Sequence, residues 1–393
     1  MAKSESAKTS IPIAILNALS AQLPKHHKTI ELHEPLFGGN EWKMVKKCID
    51  TGMVSSVGKY VDEFERRLTD LTGVRHATAV VNGTAALHMA LKITGVGMND
   101  EVLVPAITFV AVPNSVSYCN AIPHFVDSET QTFGVDPEKL HAYLSKIVVK
   151  RSGVCINKKT GRKIVALIAV HVFGHPARID KLHAVCEHFG IKLIEDAAEA
   201  LGSYYRGRHV GNHGIVTCLS FNGNKTITTG GGGAILTNIK KLAKTAKHLT
   251  TTARIAHRWE YSHNYIGYNY RLPNINAALG CAQLQELPSF LRRKRKLAER
   301  YMHAFRDISG VHLVKEPAHS KSNYWLNALL LDEPYSNLRD QILALTHQYG
   351  IKTRPIWKLM NKLPFYKKSP RMDLSMAESL ENRTINIPSS AFL

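Results

Sequence analysis

The residues with the clearest chemical potential are one lysine and the small residues around it. Lys225 lies in SFNGNKTITTGGGGAIL, Ser220 to Leu236, after the apolar run IVTCLSF and before four consecutive glycines. IVTCLSF reads as a strand, and AILT after the glycines reads as a second one. A glycine run lets the backbone adopt conformations that other residues avoid, and lets it approach a ligand closely. An amine held there, beside Ser220 and several threonines, is a candidate for covalent chemistry. Alone, it would read as a solvated lysine on a glycine-rich turn, since the chain carries 51 Lys and Arg residues.

Three other stretches fall at strand ends, where open α/β sheets bind their ligands. In NGTAALHMAL, Asn82, Gly83 and Thr84 sit where a helix begins. Free N–H groups and the helix dipole favour a phosphate there, although a plain threonine cap looks the same in sequence. In IKLIEDAAEALGSYY, Glu195 and Asp196 directly follow a buried strand, which places at least one carboxylate in the strand-end crevice. A buried carboxylate is costly unless it serves as a cap or meets a cation. A protonated pyridine nitrogen is such a cation. In TFVAVPNSV, Phe109 is either ordinary core or a ring that stacks on a flat ligand. An amine, a phosphate seat, a ring-nitrogen partner and a stacking ring together form the set that pyridoxal 5'-phosphate (PLP) requires.

The elements that must position these residues follow a regular order. ATAVV, EVLVP, IPHFVD, KIVALIAVHV and IKLIED read as short buried strands, most of them followed by a helical stretch such as AALHMALKI or ARIDKLHAVCEHFG. Continuous apolar strands alternating with helices predict an α/β fold with a mostly parallel sheet covered on both faces. After about Tyr261 the pattern changes to a long helical region, broken near Pro288. WLNALLL, LRDQILALTHQYG and IKTRP then read as strand, helix and strand of a smaller α+β domain. The expected division is an N-terminal helical arm over 1–57, a large ligand-binding domain over 58–275 and a small C-terminal domain over 276–393. No internal repeat appears.

Composition narrows the class. At 393 residues and 44% hydrophobic, the chain can bury a large core. No apolar run approaches a membrane span. The N-terminal apolar patch is interrupted by Asn17, Ser20 and Gln22 without a clear cleavage pattern, so a helix and a cytoplasmic protein are expected. Six scattered cysteines without CxxC pairs suit a reducing compartment, and no histidine pattern marks a metal site. The net charge of +20 is the outlier. Its densest run, LRRKRKLAER, reads as a solvated helix face, because aromatic interleaving and a nucleic-acid motif are absent.

The motifs in their order resemble the DegT/DnrJ/EryC1/StrS family of nucleotide-sugar aminotransferases, over nearly the whole chain. VSSVGKYVDEFE, NGTAALHMAL, VPAITFVA, PHFVD, EDAAEALGS, SFNGNKTITTGGGGA, GYNYRLPNINAALGCAQL and TRPIW carry the resemblance. It implies the fold-type I PLP transferase architecture with a seven-stranded large-domain sheet. It also implies that Lys225 bears the cofactor and shuttles protons, Asp196 pairs with the ring nitrogen, and Phe109 stacks. Gly83, Thr84 and Ser220 would bind the phosphate, and Asn269 would reach the phosphate of the neighbouring subunit in a homodimer. Two positions depart from the family pattern. Glu199 stands where a glutamine or histidine near the cofactor hydroxyl is usual, and GGGG replaces GEGG.

Among subgroups the chain resembles the aminotransferases of bacillosamine and legionaminic acid synthesis, through SFNGNK, LTTTARIAHRWEY and its N-terminal extension. That implies amino transfer from L-glutamate to C4 of a UDP-linked 4-keto-6-deoxy-N-acetylhexosamine. The alternatives are a perosamine- or viosamine-type aminotransferase on another nucleotide and, more remotely, a PLP-fold regulator that binds nucleic acid. A sugar dehydratase of the same fold fits less well, because that branch replaces the lysine with histidine. Arg254, His257 and Arg271 are candidates to hold the substrate diphosphate, or ordinary surface charges.

Overall fold

The computed structural model of the protein describes residues 2–24, 29–151 and 153–393. Its centre is a seven-stranded sheet in the spatial order His76–Val80, Gly233–Thr237, Val216–Ser220, Lys192–Asp196, Ile164–Val170, Glu101–Pro105, Ile122–Val126. Every pairing is parallel except the two made by Gly233–Thr237. Side chains alternate across the strands. Val102, Val104, Ile168, Ile194, Cys218 and Ile235 enter one apolar cluster, while Leu103, Leu167, Ala169, Leu193, Leu219 and Leu236 enter another. That is the period-two pattern of a sheet buried on both faces.

Connections at the carboxyl edge of this sheet carry the site. The helix Gly83–Ile93 follows the strand His76–Val80, and Ala85 through Leu91 are all buried. Its apolar run AALHMAL is a helix enclosed on all sides rather than an amphipathic one. The helix Lys59–Thr72 stops at Gly73, whose φ of 72° is the left-handed cap that glycine takes without steric cost.

A second, four-stranded antiparallel sheet is ordered Val311–Leu313, Asn327–Leu331, Thr384–Ile387, Arg354–Pro355. The helix Asn274–Phe305 packs in two core clusters. Ala277, Cys281 and Leu287 pack with Leu219 and Leu236 of the seven-stranded sheet, whereas Leu297, Tyr301 and Phe305 pack with Leu329 and Ile385 of the four-stranded one. The expected break at Pro288 does not occur, and one helix of 32 residues runs through it. Packing against the helices Glu41–Asp50 and Lys59–Thr72 holds the helix across the missing N–H.

The stretch expected as one arm holds two helices on different supports. Ala2–Gln22 lies on the long helix and on Arg339–Gln348, burying Ile15 and Leu19. Glu41–Asp50 lies against the long helix instead. Between them, Ile30 pairs with Ile351, and the carbonyl of Leu32 accepts from the Ser389 N–H. The run LRRKRKLAER also differs from expectation. Arg292, Arg293, Lys296 and Arg300 are exposed, but Lys294 is wholly buried. All six cysteines are buried free thiols.

Candidate active site

Lys225 stands on a loop that leaves the sheet at Ser220 and returns at Gly233, the two residues facing each other in the antiparallel register. The Phe221 N–H donates to the Gly232 carbonyl and closes the loop's neck. The side chain is largely enclosed, 14% exposed, with Nζ 3.4 Å from Glu199 Oε1 and 4.1 Å from the centre of the Trp325 ring. Trp325 is fixed by its indole N–H, which donates to the Asn224 carbonyl at 2.7 Å. The amine thus sits between a carboxyl and an aromatic face.

The adjacent strand end supplies the carboxylates. Asp196 is 6% exposed and accepts from the Ala198 N–H at 2.9 Å, with no other partner within hydrogen-bond reach among the described residues. Burial pushes its carboxyl above the usual aspartate range, against the pull of that N–H and of the Lys225 charge. A buried carboxylate with one backbone donor is suited to a cation on its open side, and a protonated pyridine nitrogen fits. Glu195 serves a different purpose. It is enclosed with His171 at 3.1 Å and accepts from the N–H groups of Gly211, His213 and Gly214, so it ties loops behind the site.

Glu199 is brought to the lysine. Its Oε2 accepts from the Phe173 N–H at 2.9 Å. Burial pushes its pKa up to about 7, opposed by Lys225 and the Phe173 N–H and reinforced by Asp196 nearby. Phe173 takes a left-handed φ of 57° to present that N–H, a conformation costing about 1 kcal/mol or more in a non-glycine residue. Asn323, distant in sequence, holds the same loops. Its Nδ2 donates to the carbonyls of Glu199 and Leu201 at 2.9 Å each and to Thr226 Oγ1.

The candidate phosphate seat is the start of the helix Gly83–Ile93. Asn82 Oδ1 caps the Ala85 N–H at 2.7 Å, and the Asn82 carbonyl takes the Ala86 N–H. The N–H groups of Gly83 and Thr84 are left without a protein acceptor among the described residues, and they sit at the positive end of the dipole. A Cβ at Gly83 would lie 2.8 Å from the Ser220 Cβ, so the helix start and the strand end meet only because glycine is there. A Cβ at Gly233 would lie 2.5 Å from the Asn82 carbonyl carbon, a backbone atom that can move only with the helix. Gly233→Ala is therefore expected to cost about 1–3 kcal/mol of stability, the usual range for overpacking. It should also weaken PLP binding about ten-fold, or roughly 1.4 kcal/mol. Thermal unfolding and absorbance titration with PLP check both effects.

Phe109 is 54% exposed, so it is not core. It lies just before the helix Ala111–Tyr118, free on one face. Asn269 is exposed, with Oδ1 accepting from Arg271 Nε at 3.3 Å, and no contact joins it to Lys225 within the chain. Arg254, His257 and Arg271 line one open groove of about 590 Å³, where the Arg254 guanidinium lies 3.8 Å from the Tyr261 ring centre. Sequence reasoning missed Trp325. WLNALLL reads as a strand throughout, but the strand begins at Asn327 and leaves Trp325 on the turn toward the lysine. Among the described residues, no group of His, Cys, Asp and Glu is placed to hold a metal ion. No helix of those residues is long and apolar enough to cross a membrane.

Lys225, Asp196 and the start of the helix Gly83–Ile93 thus share one sheet edge, the arrangement expected of a PLP-dependent transferase. Residues 36–393 match the DegT/DnrJ/EryC1/StrS aminotransferase family, and the chain belongs to it. It is 37% identical over 366 residues to a GDP-perosamine synthase of Vibrio cholerae, covering 92% of this chain and 94% of that one. It is 35% identical over 368 residues to a GDP-perosamine synthase of Escherichia coli O157:H7, with 92% and 93% covered. Among solved structures, the PLP form of Streptococcus pneumoniae Spr1654 superposes with a TM-score of 0.82 at 25% identity, over 93% of this chain and 94% of that one. The protein is thus a PLP-dependent sugar-nucleotide aminotransferase.

Proposed function

We propose that the protein moves an amino group from L-glutamate to C4 of a nucleotide-linked 4-keto sugar, with a GDP-linked, perosamine-type acceptor favoured over the UDP-linked one. The observation that carries the chemistry is Lys225 Nζ held at 3.4 Å from Glu199 beside a buried Asp196. The nucleotide preference is supported by the similarity to GDP-perosamine synthases, which displaces the UDP-sugar subgroup expected from SFNGNK and LTTTARIAHRWEY.

The residues divide the work as follows. The N–H groups of Gly83 and Thr84 and the Ser220 hydroxyl would hold the cofactor phosphate. Asn269 of a neighbouring copy would complete that seat in a homodimer. Phe109 would cover one face of the ring, and Asp196 would keep a proton on its nitrogen. When bound, PLP supplies an electrophilic carbon for the donor amine and a sink for the electron pair left as a Cα–H bond breaks. Lys225 Nζ takes that Cα proton, holds it and returns it as general acid. Glu199, protonated up to about pH 7, keeps a hydrogen bond within reach of Nζ without locking the amine in a full ion pair. Trp325, 4% exposed, keeps water from the same amine. In the second half of the cycle Lys225 moves protons in the opposite order, glutamate having left as 2-oxoglutarate and the keto oxygen leaving as water.

A panel of GDP-, UDP- and dTDP-linked 4-keto sugars with L-glutamate tests the reading. The GDP-linked acceptor should show the highest kcat/KM, by about ten-fold, which corresponds to roughly 1.4 kcal/mol of transition-state binding. A ten-fold preference for the UDP-linked N-acetyl sugar would reverse the assignment of the nucleotide.

A further inference from the structure

Three groups face or flank the Lys225 amine, and one residue that makes no hydrogen bond to it joins all three. Glu199 Oε1 stands 3.4 Å from Nζ, the Trp325 ring centre lies 4.1 Å from it, and Thr226 is the next residue in the chain. Asn323 is wholly buried, and its Nδ2 donates to the Glu199 and Leu201 carbonyls at 2.9 Å each and to Thr226 Oγ1 at 3.2 Å. Its Oδ1 accepts from the Trp325 N–H at 2.9 Å. The partners fix the sense of the amide, because backbone carbonyls only accept and a backbone N–H only donates. Aspartate would turn a bare oxygen toward both carbonyls, and leucine would offer no donor.

Asn323 also supports the far end of Glu199. The Glu199 carboxyl is held by the Phe173 N–H, 2.9 Å from Oε2. Phe173 takes a left-handed φ of 57°, which persists only where the surroundings hold it. Those supports come from the segment 322–326. A Cβ at Gly174 would fall on Asn323 Oδ1, so the amide rests directly on the backbone next to Phe173. The Gly174 carbonyl accepts from the hydroxyls of Ser203, at 2.8 Å, and Ser322, at 3.0 Å. Ser203 Oγ in turn accepts from the Asn323 N–H at 2.9 Å. The Leu326 N–H donates to the Phe173 carbonyl at 3.3 Å. Both ends of Glu199, its main-chain carbonyl and its carboxyl, are thus tied to one short segment centred on Asn323.

We infer that Asn323 is a positioning residue for proton transfer at Lys225: its amide fixes both ends of Glu199 and so sets the carboxyl at the distance from Nζ at which Lys225 can take the Cα proton and return it. Asn323 itself exchanges no proton. The inference rests on Lys225 as the proton carrier and deepens that reading by naming what holds its neighbour in place. Because the amide acts through Glu199, its effect should vanish once the Glu199 side chain is gone. An asparagine that served only the fold would cost the same with or without that side chain.

The test is a double-variant cycle. Asn323→Ser loses the amide donors but leaves room for a water to satisfy the Glu199 and Leu201 carbonyls, which keeps the fold. In the holoenzyme it should slow the glutamate half-reaction about ten-fold at an unchanged glutamate KM, a size expected of groups joined in one hydrogen-bond network. In a Glu199→Ala background the same substitution should cost less than about two-fold. Ser203→Ala, a smaller change that frees the Asn323 N–H and the Gly174 carbonyl, should repeat the pattern at about three-fold. In protein freed of PLP, labelling of Lys225 by acetic anhydride, followed by peptide mass spectrometry, should run about ten-fold faster in Asn323→Ser, because a loosened Glu199 and Trp325 enclose the amine less. A loss as large in the Glu199→Ala background as in wild type, an unchanged rate, or unchanged labelling overturns the positioning role while leaving the function standing. A wild-type holoenzyme with no glutamate-driven absorbance change overturns the functional reading itself, and the positioning role with it.

Discussion

Lys225→Ala is expected to abolish amino transfer. The glutamate-driven absorbance change should disappear, and steady-state turnover should fall on the order of 10⁴-fold, the scale seen when a residue serving as both nucleophile and general base is removed. The geometry lets charge be separated from chemistry. Lys225→Arg keeps a cation for Glu199 and for the face of Trp325, now 3.4 Å from Nζ and 4.1 Å from it respectively. A guanidinium cannot lose its proton in this range and so cannot act as base. Both variants should therefore be inactive, and an arginine variant retaining a tenth of wild-type turnover would mean that Lys225 contributes only charge. The apoprotein should stay folded in either case. Glu199, with a pKa raised to about 7, can take up a proton when its partner is removed, so no buried charge is stranded.

How much of this was legible in the sequence depends on the range of the signal. Lys225, Ser220 and the glycines are neighbours along the chain, and the strand–loop–strand pattern around them appears as expected, closed at Ser220 and Gly233. Asp196 and the Gly83 helix start were readable because a parallel sheet brings all its carboxyl ends to one edge. The role of Glu195 was not, since which of two adjacent carboxylates faces the crevice depends on strand register. Here that register turns Glu195 toward His171 and Gly214. Trp325, which faces the lysine, and Asn323, which holds the Glu199 and Thr226 loops, were missed because they come from more than 90 residues away, through contacts that leave no local pattern. Lys294 misled for a related reason. In a helix of charged residues one position can point inward, and only the helix's supports decide which. The continuous helix through Pro288 is tertiary packing overriding a local breaker.

Asp196→Asn should separate what is good for the fold from what is good for the reaction. In the protein without PLP, burial raises the Asp196 carboxyl above its ordinary 3.8. With the folded value above the unfolded one, the unfolded chain ionises first as pH increases. The stability tied to this group is then fully present below the unfolded value and is lost as pH rises through the folded one. Above the folded value the apoprotein therefore bears the cost of a buried charge with one backbone donor, and asparagine removes that charge. The Asn variant without PLP should melt about 2 °C or more above wild type at pH 7. Toward acid pH, as the wild-type carboxyl regains its proton, the gap should narrow. With PLP present the order reverses, because a ring-nitrogen cation beside Asp196 lowers its pKa and turns the same carboxylate into a stabilising partner. PLP should thus raise the melting temperature of wild type more than that of the variant. Loss of the carboxylate that holds the ring proton should lower the rate of the glutamate half-reaction about 10³-fold, the scale of removing a preorganised electrostatic group. Melting of both forms at two pH values, with single-turnover absorbance, measures all of this on one pair of proteins. Equal apoprotein stability at pH 7 together with an unchanged half-reaction would show that Asp196 points away from the ring nitrogen, and the strand-end carboxylate would then be only a loop cap for Ala198.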